Sequence, residues 1–405
     1  MFIHFLHSSF FIATLFISCL ATICLSNNFA DHNLIKLPSH HASPRTSFHF
    51  LSFPSSKSPP INAIYQFGDS LSDTGNLIRA DPSTNCANWP YGESYFNEPT
   101  GRCSNGLLVI DYFAKFLNLP LLDAYLNKDG NFTHGVNFAV ASAAALNSSV
   151  LGEKYNVWAP TNLTLSVQLG WFKSHLHSFY PNVLERRNKL AKGLFLMGEV
   201  GGNDYNFAFT QGKPLPDVYE MVPDVVQKIK SAVEEIIDLG ATQIGIPGNF
   251  PIGCMPMYLS QFKTNDSSKY DELKCLKEYN RHAIYHNDQL QQTIIELQKS
   301  NPNVTIVYMD YFGTLKEILR HSTLYGFDAN VTTKACCGAG DDEYNVNSKA
   351  CCGDNGVPVC KNPQEYVSWD GTHLTQQAYY VMAKKLMPSL LRSLQNVADN
   401  LVSQS

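Results

Sequence analysis

The sequence predicts an α/β fold in which helices cover both faces of a mainly parallel β-sheet. Two observations predict it. Short, continuously apolar runs such as "AIYQF" (63–67) and "GLFLM" (193–197) lack the alternation of a half-exposed strand and read as strands buried on both faces. Between such runs lie longer segments with apolar residues at helical spacing. A strand, a crossover helix and another strand in succession make neighbouring strands parallel. No repeat or linker divides the chain after Ile61, so 61–405 is expected to form a single domain with loop insertions.

Taken in order, the first strand is Ala63 to Phe67, and it runs straight into "GDSLSDTGN", whose residues favour tight turns. An apolar-periodic segment follows with Leu107, Leu108, Ile110, Phe113, Phe116 and Leu117. "GLFLMGEV" (193–200) contains the next strand. A long amphipathic helix is expected near Asp217 to Leu239, where Val218, Val222, Val225, Val226, Ile229, Val233 and Ile236 share one face. Gly240 is suited to end it. Thr242 to Pro247 reads as strand, Ala283 to Lys299 as helix, Val304 to Asp310 as strand and Thr375 to Leu391 as the closing helix.

With 405 residues, 44% hydrophobic and 16% charged, the chain has ample apolar content for a large core. A net charge of -5 offers no basic surface for nucleic acid or an anionic membrane. Residues 1–26 hold the apolar run "FFIATLFISCLATICL", of signal-peptide length and short for a membrane span. An N-terminal anchor is the competing reading. Residues 27–60, rich in Ser, His, Pro and Asn, are expected to be a flexible pre-domain segment.

Beyond the leader, Cys86, Cys103, Cys254, Cys275, Cys336, Cys337, Cys351, Cys352 and Cys360 fall in local groups, as loop-stapling disulfides would. The grouping suggests Cys86 with Cys103, Cys254 with Cys275, and pairing among the last five. Nine is odd, so one thiol is free or pairs elsewhere. Zinc at the two "ACCG" sequences is the alternative, disfavoured because adjacent cysteines lack the usual C-x-x-C spacing. Six sequons, at Asn131, Asn147, Asn162, Asn265, Asn303 and Asn330, are expected glycan sites on a secreted chain. Export through the secretory pathway, to the cell exterior or a vacuole, is expected, with no stable membrane association after signal cleavage, and a monomer is expected.

In an open parallel sheet reactive groups gather beyond the carboxyl ends of the strands. Ser70 sits just past the first strand, at that rim. A hydroxyl needs a base to become a nucleophile. Of thirteen histidines, His373 is set apart by "SWDGTHLT", with Asp370 three residues ahead of it. In a tight loop the Asp370 carboxylate can meet imidazole Nδ1 and leave Nε2 facing a serine. The competing reading is a helix cap with an incidental histidine. "GEVGGNDYN" (198–206) follows the strand "GLFLM" and brings glycines, which let a ligand approach the backbone, and Asn203, a side-chain N–H donor for a developing oxyanion. Asn203 also reads as a turn residue.

Together these segments resemble the plant GDSL esterase/lipase family, a branch of the SGNH hydrolases. Four blocks carry the resemblance: "FGDSLSDTGN" (67–76), "GVNFAVASAAAL" (135–146), "GGND" (201–204) and "DGTH" (370–373). The resemblance implies a three-layer α/β/α sandwich with a mainly parallel, flavodoxin-like sheet, and no cofactor or metal. It makes Ser70 the nucleophile, His373 the base and Asp370 its orienting carboxylate. The oxyanion hole would combine the Ser70 backbone N–H, the side chain of Asn203 and the backbone N–H at Ser142. At that last position the family usually carries Gly. Serine keeps the N–H, but a φ above zero there would cost about 1 kcal/mol or more.

The function expected is that of a secreted serine esterase acting on a small ester of a plant specialised metabolite, with an acetyl, short-acyl or aromatic acyl group. An acyltransferase using the same acyl-enzyme and a catalytically vestigial binding protein are the alternatives. Trp89, Tyr91 and Phe96 in "NCANWPYGESYF" could reach the site, or could pack a loop stapled by Cys86.

Overall fold

The structure is a computed structural model and describes residues 61–403; the expected signal and pre-domain segments lie outside the described residues. Five parallel strands form one sheet in the order β2-β1-β3-β4-β5: β1 Ala63–Phe67, β2 Gly135–Asn137, β3 Gly193–Met197, β4 Gln243–Pro247 and β5 Thr305–Met309. In β1, β3 and β4 every residue is buried, which explains the unbroken apolar runs. The order departs from chain order at β1, which has β2 on one side and β3 on the other. The chain therefore reverses its winding there, and the carboxyl end of β1 opens at a topological switch point.

Two sets of helices sandwich the sheet. One set holds α2 Leu165–Phe179, α3 Gly202–Thr210, α4 Leu215–Leu239 and α5 Lys277–Ser300, and α4 packs along α5. The other holds α1 Val109–Phe116, α6 Tyr311–Arg320 and α7 Gln376–Ser403, with α7 lying against α1, α6 and β5. The expected apolar face of α4 is the buried one, and Gly240 ends the helix at φ 122°. The expected α/β sandwich is thus the observed one.

Four disulfides between described residues staple the loops: Cys86–Cys103, Cys254–Cys275, Cys336–Cys360 and Cys337–Cys352. Both "ACCG" sequences are engaged in this pairing, which leaves Cys336, Cys337 and Cys352 with no thiolate for zinc. Cys86, Cys103 and the 336–360 loop share a small core with Tyr91 and Trp369, so the staples hold the segment that carries Asp370. All six sequon asparagines are exposed. No helix among the described residues is long and apolar enough to cross a membrane.

Candidate active site

At the end of β1 the backbone must turn at once, and Gly68 allows it. Its φ is 153°, and a Cβ there would stand 2.7 Å from Ser72 Oγ and 2.9 Å from Glu199 O. Gln168 of α2 clamps the same glycine, accepting from Gly68 N–H at 2.9 Å and donating to Gly68 O at 2.8 Å. The loop beyond is held by Asp73, whose carboxylate accepts from the amides of Gly75, Asn76, Leu77 and Ala141 at 2.6–3.0 Å. Asn76 Nδ2 donates to Asn137 O and Ala139 O, both at 2.8 Å. Asp204 accepts from Ala145 and Leu146 N–H at 2.8 and 2.9 Å. Much of the polar character of the first three sequence blocks is spent on tying them to one another.

The fourth block arrives from the far end of the chain. The turn 368–373 is closed by Gly371 at φ 98°, whose N–H donates to Ser368 Oγ at 3.0 Å. Asp370 Oδ1 accepts from the amides of Thr372 and His373 at 3.0 and 2.8 Å. Its Oδ2 lies 2.6 Å from His373 Nδ1, and His373 Nε2 lies 2.8 Å from Ser70 Oγ across 303 positions of sequence. The three side chains that the sequence singles out therefore form one continuous line. Asp370 can orient the ring and stabilise an imidazolium; Nε2 can take the hydroxyl proton. Burial acts to raise the Asp370 carboxyl, but His373 and the two amides outweigh it and hold it below the usual range.

Tyr91 adds a partner that the sequence left ambiguous. It is buried edge-on against Trp369, and its hydroxyl donates to Asp370 Oδ2 at 2.8 Å. Both readings of the aromatic loop hold for Tyr91, since it packs the stapled core and supports the carboxylate. Trp89 does not approach the site and is 56% exposed. Phe96 stacks under the Arg102 guanidinium, 4.7 Å from its ring centre.

Of the expected oxyanion donors, Asn203 is buried beside Ser70, with Nδ2 donating to Ala143 O at 3.0 Å and facing Asp69 Oδ2 at 3.3 Å. Ser142 has φ 64°, so its position does require the left-handed backbone that glycine adopts freely. Two residues assigned no role from the sequence, Asp69 and Glu199, lie against this group. Burial is the first cause raising the Asp69 carboxyl to about 6, and it pushes Glu199 well above the carboxylate range.

Ser70, Asn203 and Thr372 open into a cleft walled by Phe250, Ile252, Met255, Met257 and Tyr258. Phe250 and Ile252 come from "GNFPIGC" after β4, again beyond a strand's carboxyl end. That position was the only signal in the sequence for them. Met257 and Thr372 also border a second cleft, lined by Tyr91, Asp370 and the 345–352 loop.

The family model for GDSL-like lipase/acylhydrolase matches residues 64–386. The chain belongs to the GDSL lipase/acylhydrolase family. Acetylajmalan esterase 1 of Rauvolfia serpentina is 42% identical over 341 residues, 82% of this chain and 88% of its own. A GDSL esterase/lipase of Arabidopsis thaliana is 44% identical over 364 residues, 88% of this chain and 91% of its own. Acetylajmalan esterase 2 of Rauvolfia serpentina is 41% identical over 340 residues, 83% and 92% of the two chains. This GDSL protein is accordingly a carboxylic ester hydrolase, and its substrate is a small-molecule ester. Among the described residues there is no cluster of His, Cys, Asp or Glu suited to a metal ion.

Proposed function

We propose that the protein is a secreted serine carboxylesterase that cleaves a small ester of a plant specialised metabolite, such as an acetylated alkaloid, through an acyl-Ser70 intermediate. The observation that carries this reading is the pair of contacts at His373, 2.8 Å to Ser70 Oγ and 2.6 Å to Asp370 Oδ2. Ser70 Oγ attacks the ester carbonyl as His373 Nε2 takes its proton. The Ser70 and Ser142 amides with Asn203 hold the oxyanion. His373 then protonates the departing alcohol, and water attacks the acyl-enzyme by the same route. The alkaloid ester is suggested by the name of the Rauvolfia relatives. Four disulfides and six exposed sequons support passage through the secretory route, with glycans on Asn131, Asn147, Asn162, Asn265, Asn303 and Asn330.

The test uses p-nitrophenyl acetate and a fluorophosphonate probe on the wild type and Ser70→Ala. Turnover and covalent labelling are expected in the wild type, and both are expected to vanish in the folded variant. Hydrolysis by Ser70→Ala at the wild-type rate would overturn the proposal. A parallel panel of acetylated alkaloid, choline ester and long-chain lipid then ranks the substrates.

A further inference from the structure

Two buried carboxyls beside Ser70 have no part in the mechanism above. Asp69 and Glu199 are each 4% exposed, line the same cleft as Ser70, and are joined where Asp69 N–H donates to Glu199 O at 3.2 Å. Two ionised carboxylates buried side by side repel and hold only acceptors, so the pair keeps a proton on one of them. Their other partners show which. Asp69 Oδ1 accepts from Leu71 N–H at 2.9 Å and Oδ2 faces Asn203 Nδ2 at 3.3 Å, whereas Glu199 has the single amide of Gly202 at 3.2 Å. The better-solvated Asp69 keeps the charge and Glu199 the proton.

Asn203 Nδ2 has two hydrogens. Ala143 O holds one at 3.0 Å; the other faces Asp69 at the longer distance of 3.3 Å. Resting on the esterase reading of Ser70 and Asn203, we infer that Asp69 and Glu199 are a positioning pair whose shared proton offsets the Asp69 charge and frees the second N–H of Asn203 for the developing oxyanion. Without that proton the Asp69 charge would hold the Asn203 hydrogen and repel the oxyanion.

Other titratable groups face the pair. Asp73 lies on the same loop, Asp204 on α3 and His373 on the fourth block. The phenols of Tyr205, Tyr258, Tyr311 and Tyr379 surround it and are held protonated by burial. All of them persist when only Glu199 is changed, so a Glu199 variant isolates the pair.

The experiment measures p-nitrophenyl acetate hydrolysis from pH 5 to 10 for the wild type, Glu199→Gln, Glu199→Leu, Asn203→Ala and Glu199→Leu with Asn203→Ala. Wild-type kcat is expected to fall on the alkaline side as the shared proton leaves. Glu199→Gln, which keeps a donor toward Asp69 at every pH, should retain activity and lose that alkaline limb. Glu199→Leu should lower kcat and kcat/KM together by about 10- to 100-fold. The double variant should fall no further than Asn203→Ala alone, because the two changes remove the same interaction. An alkaline limb unchanged in Glu199→Gln, or additive losses in the double variant, would refute the pair. Should Glu199→Leu fail to fold, the alkaline limb of Glu199→Gln decides alone. Fluorophosphonate labelling separates the two levels. An unlabelled, inactive wild type defeats the esterase reading, and labelled variants with wild-type kcat at every pH defeat only the pair.

Discussion

Ser142 is the residue where this chain departs from its family's usual glycine, and its φ of 64° puts a side chain on left-handed backbone. The strain is on the order of 1 kcal/mol, and no hydrogen bond of the Ser142 side chain offsets it among the described residues. Ser142→Gly is therefore expected to stabilise the fold by about 1 kcal/mol in denaturant unfolding and to keep or raise kcat. A variant less stable than the wild type would show that the hydroxyl holds the turn. At this scale Ser70, Asp370, His373 and Asn203 were legible, because each sits where a turn presents a reactive side chain. Asp69 and Glu199 were not, although both lie inside the quoted blocks. Their importance rests on burial side by side, which neighbours in sequence do not reveal.

Among elements, the junction of β1 with α2 shows how strand and helix together place Ser70. Gln168 satisfies both backbone groups of Gly68, two positions ahead of Ser70. Gln168→Leu would strand the buried Gly68 N–H, while Gly68 O keeps the Val140 N–H at 3.2 Å, at a cost of about 1–3 kcal/mol. The expected outcome is a lower melting temperature together with reduced kcat, read by calorimetry and ester hydrolysis; unchanged values in both would show the clamp to be dispensable. Strands β1, β3, β4 and β5 were readable from apolar runs. Strand β2 was not, since Gly135-Val136-Asn137 is three residues long and takes its place by pairing with β1. Helix α5 begins at Lys277 rather than at Ala283, because its polar first turns bury Asn280 and His282 against other elements.

The whole molecule carries opposed buried charges. His175, His282 and His286 are pushed down to about 4, 4 and 3 by burial, so each adds stability present above pH 6.5 and lost as pH falls toward those values. Asp69 and Asp204 are pushed up by burial to about 6 and 7; each adds stability present below about pH 4 and lost as pH rises through those values. The two trends run against each other between about pH 4.5 and 6, so they partly cancel there. His175 tests it. Its ring stacks on Phe179 and meets Tyr65, Phe132 and Phe138 edge-on, with neither nitrogen hydrogen-bonded. His175→Phe should keep the packing, remove one acid-labile group and stabilise pH 4.5 relative to pH 7 by about 2–3 kcal/mol. Thermal melts that shift equally at both pH values would count against this balance.

By itself the sequence determined four of the five strands, the long helices, the disulfide groups and the candidate reactive side chains. Apolar runs, helical periodicity and turn residues act over a few positions, and the chain writes them locally. Only the tertiary structure decided that His373 meets Ser70, that Tyr91 supports Asp370, and that Asp69 and Glu199 are buried together. Those outcomes depend on which segments pack together and on the loss of water around them, and neither is set by the spacing of residues along the chain.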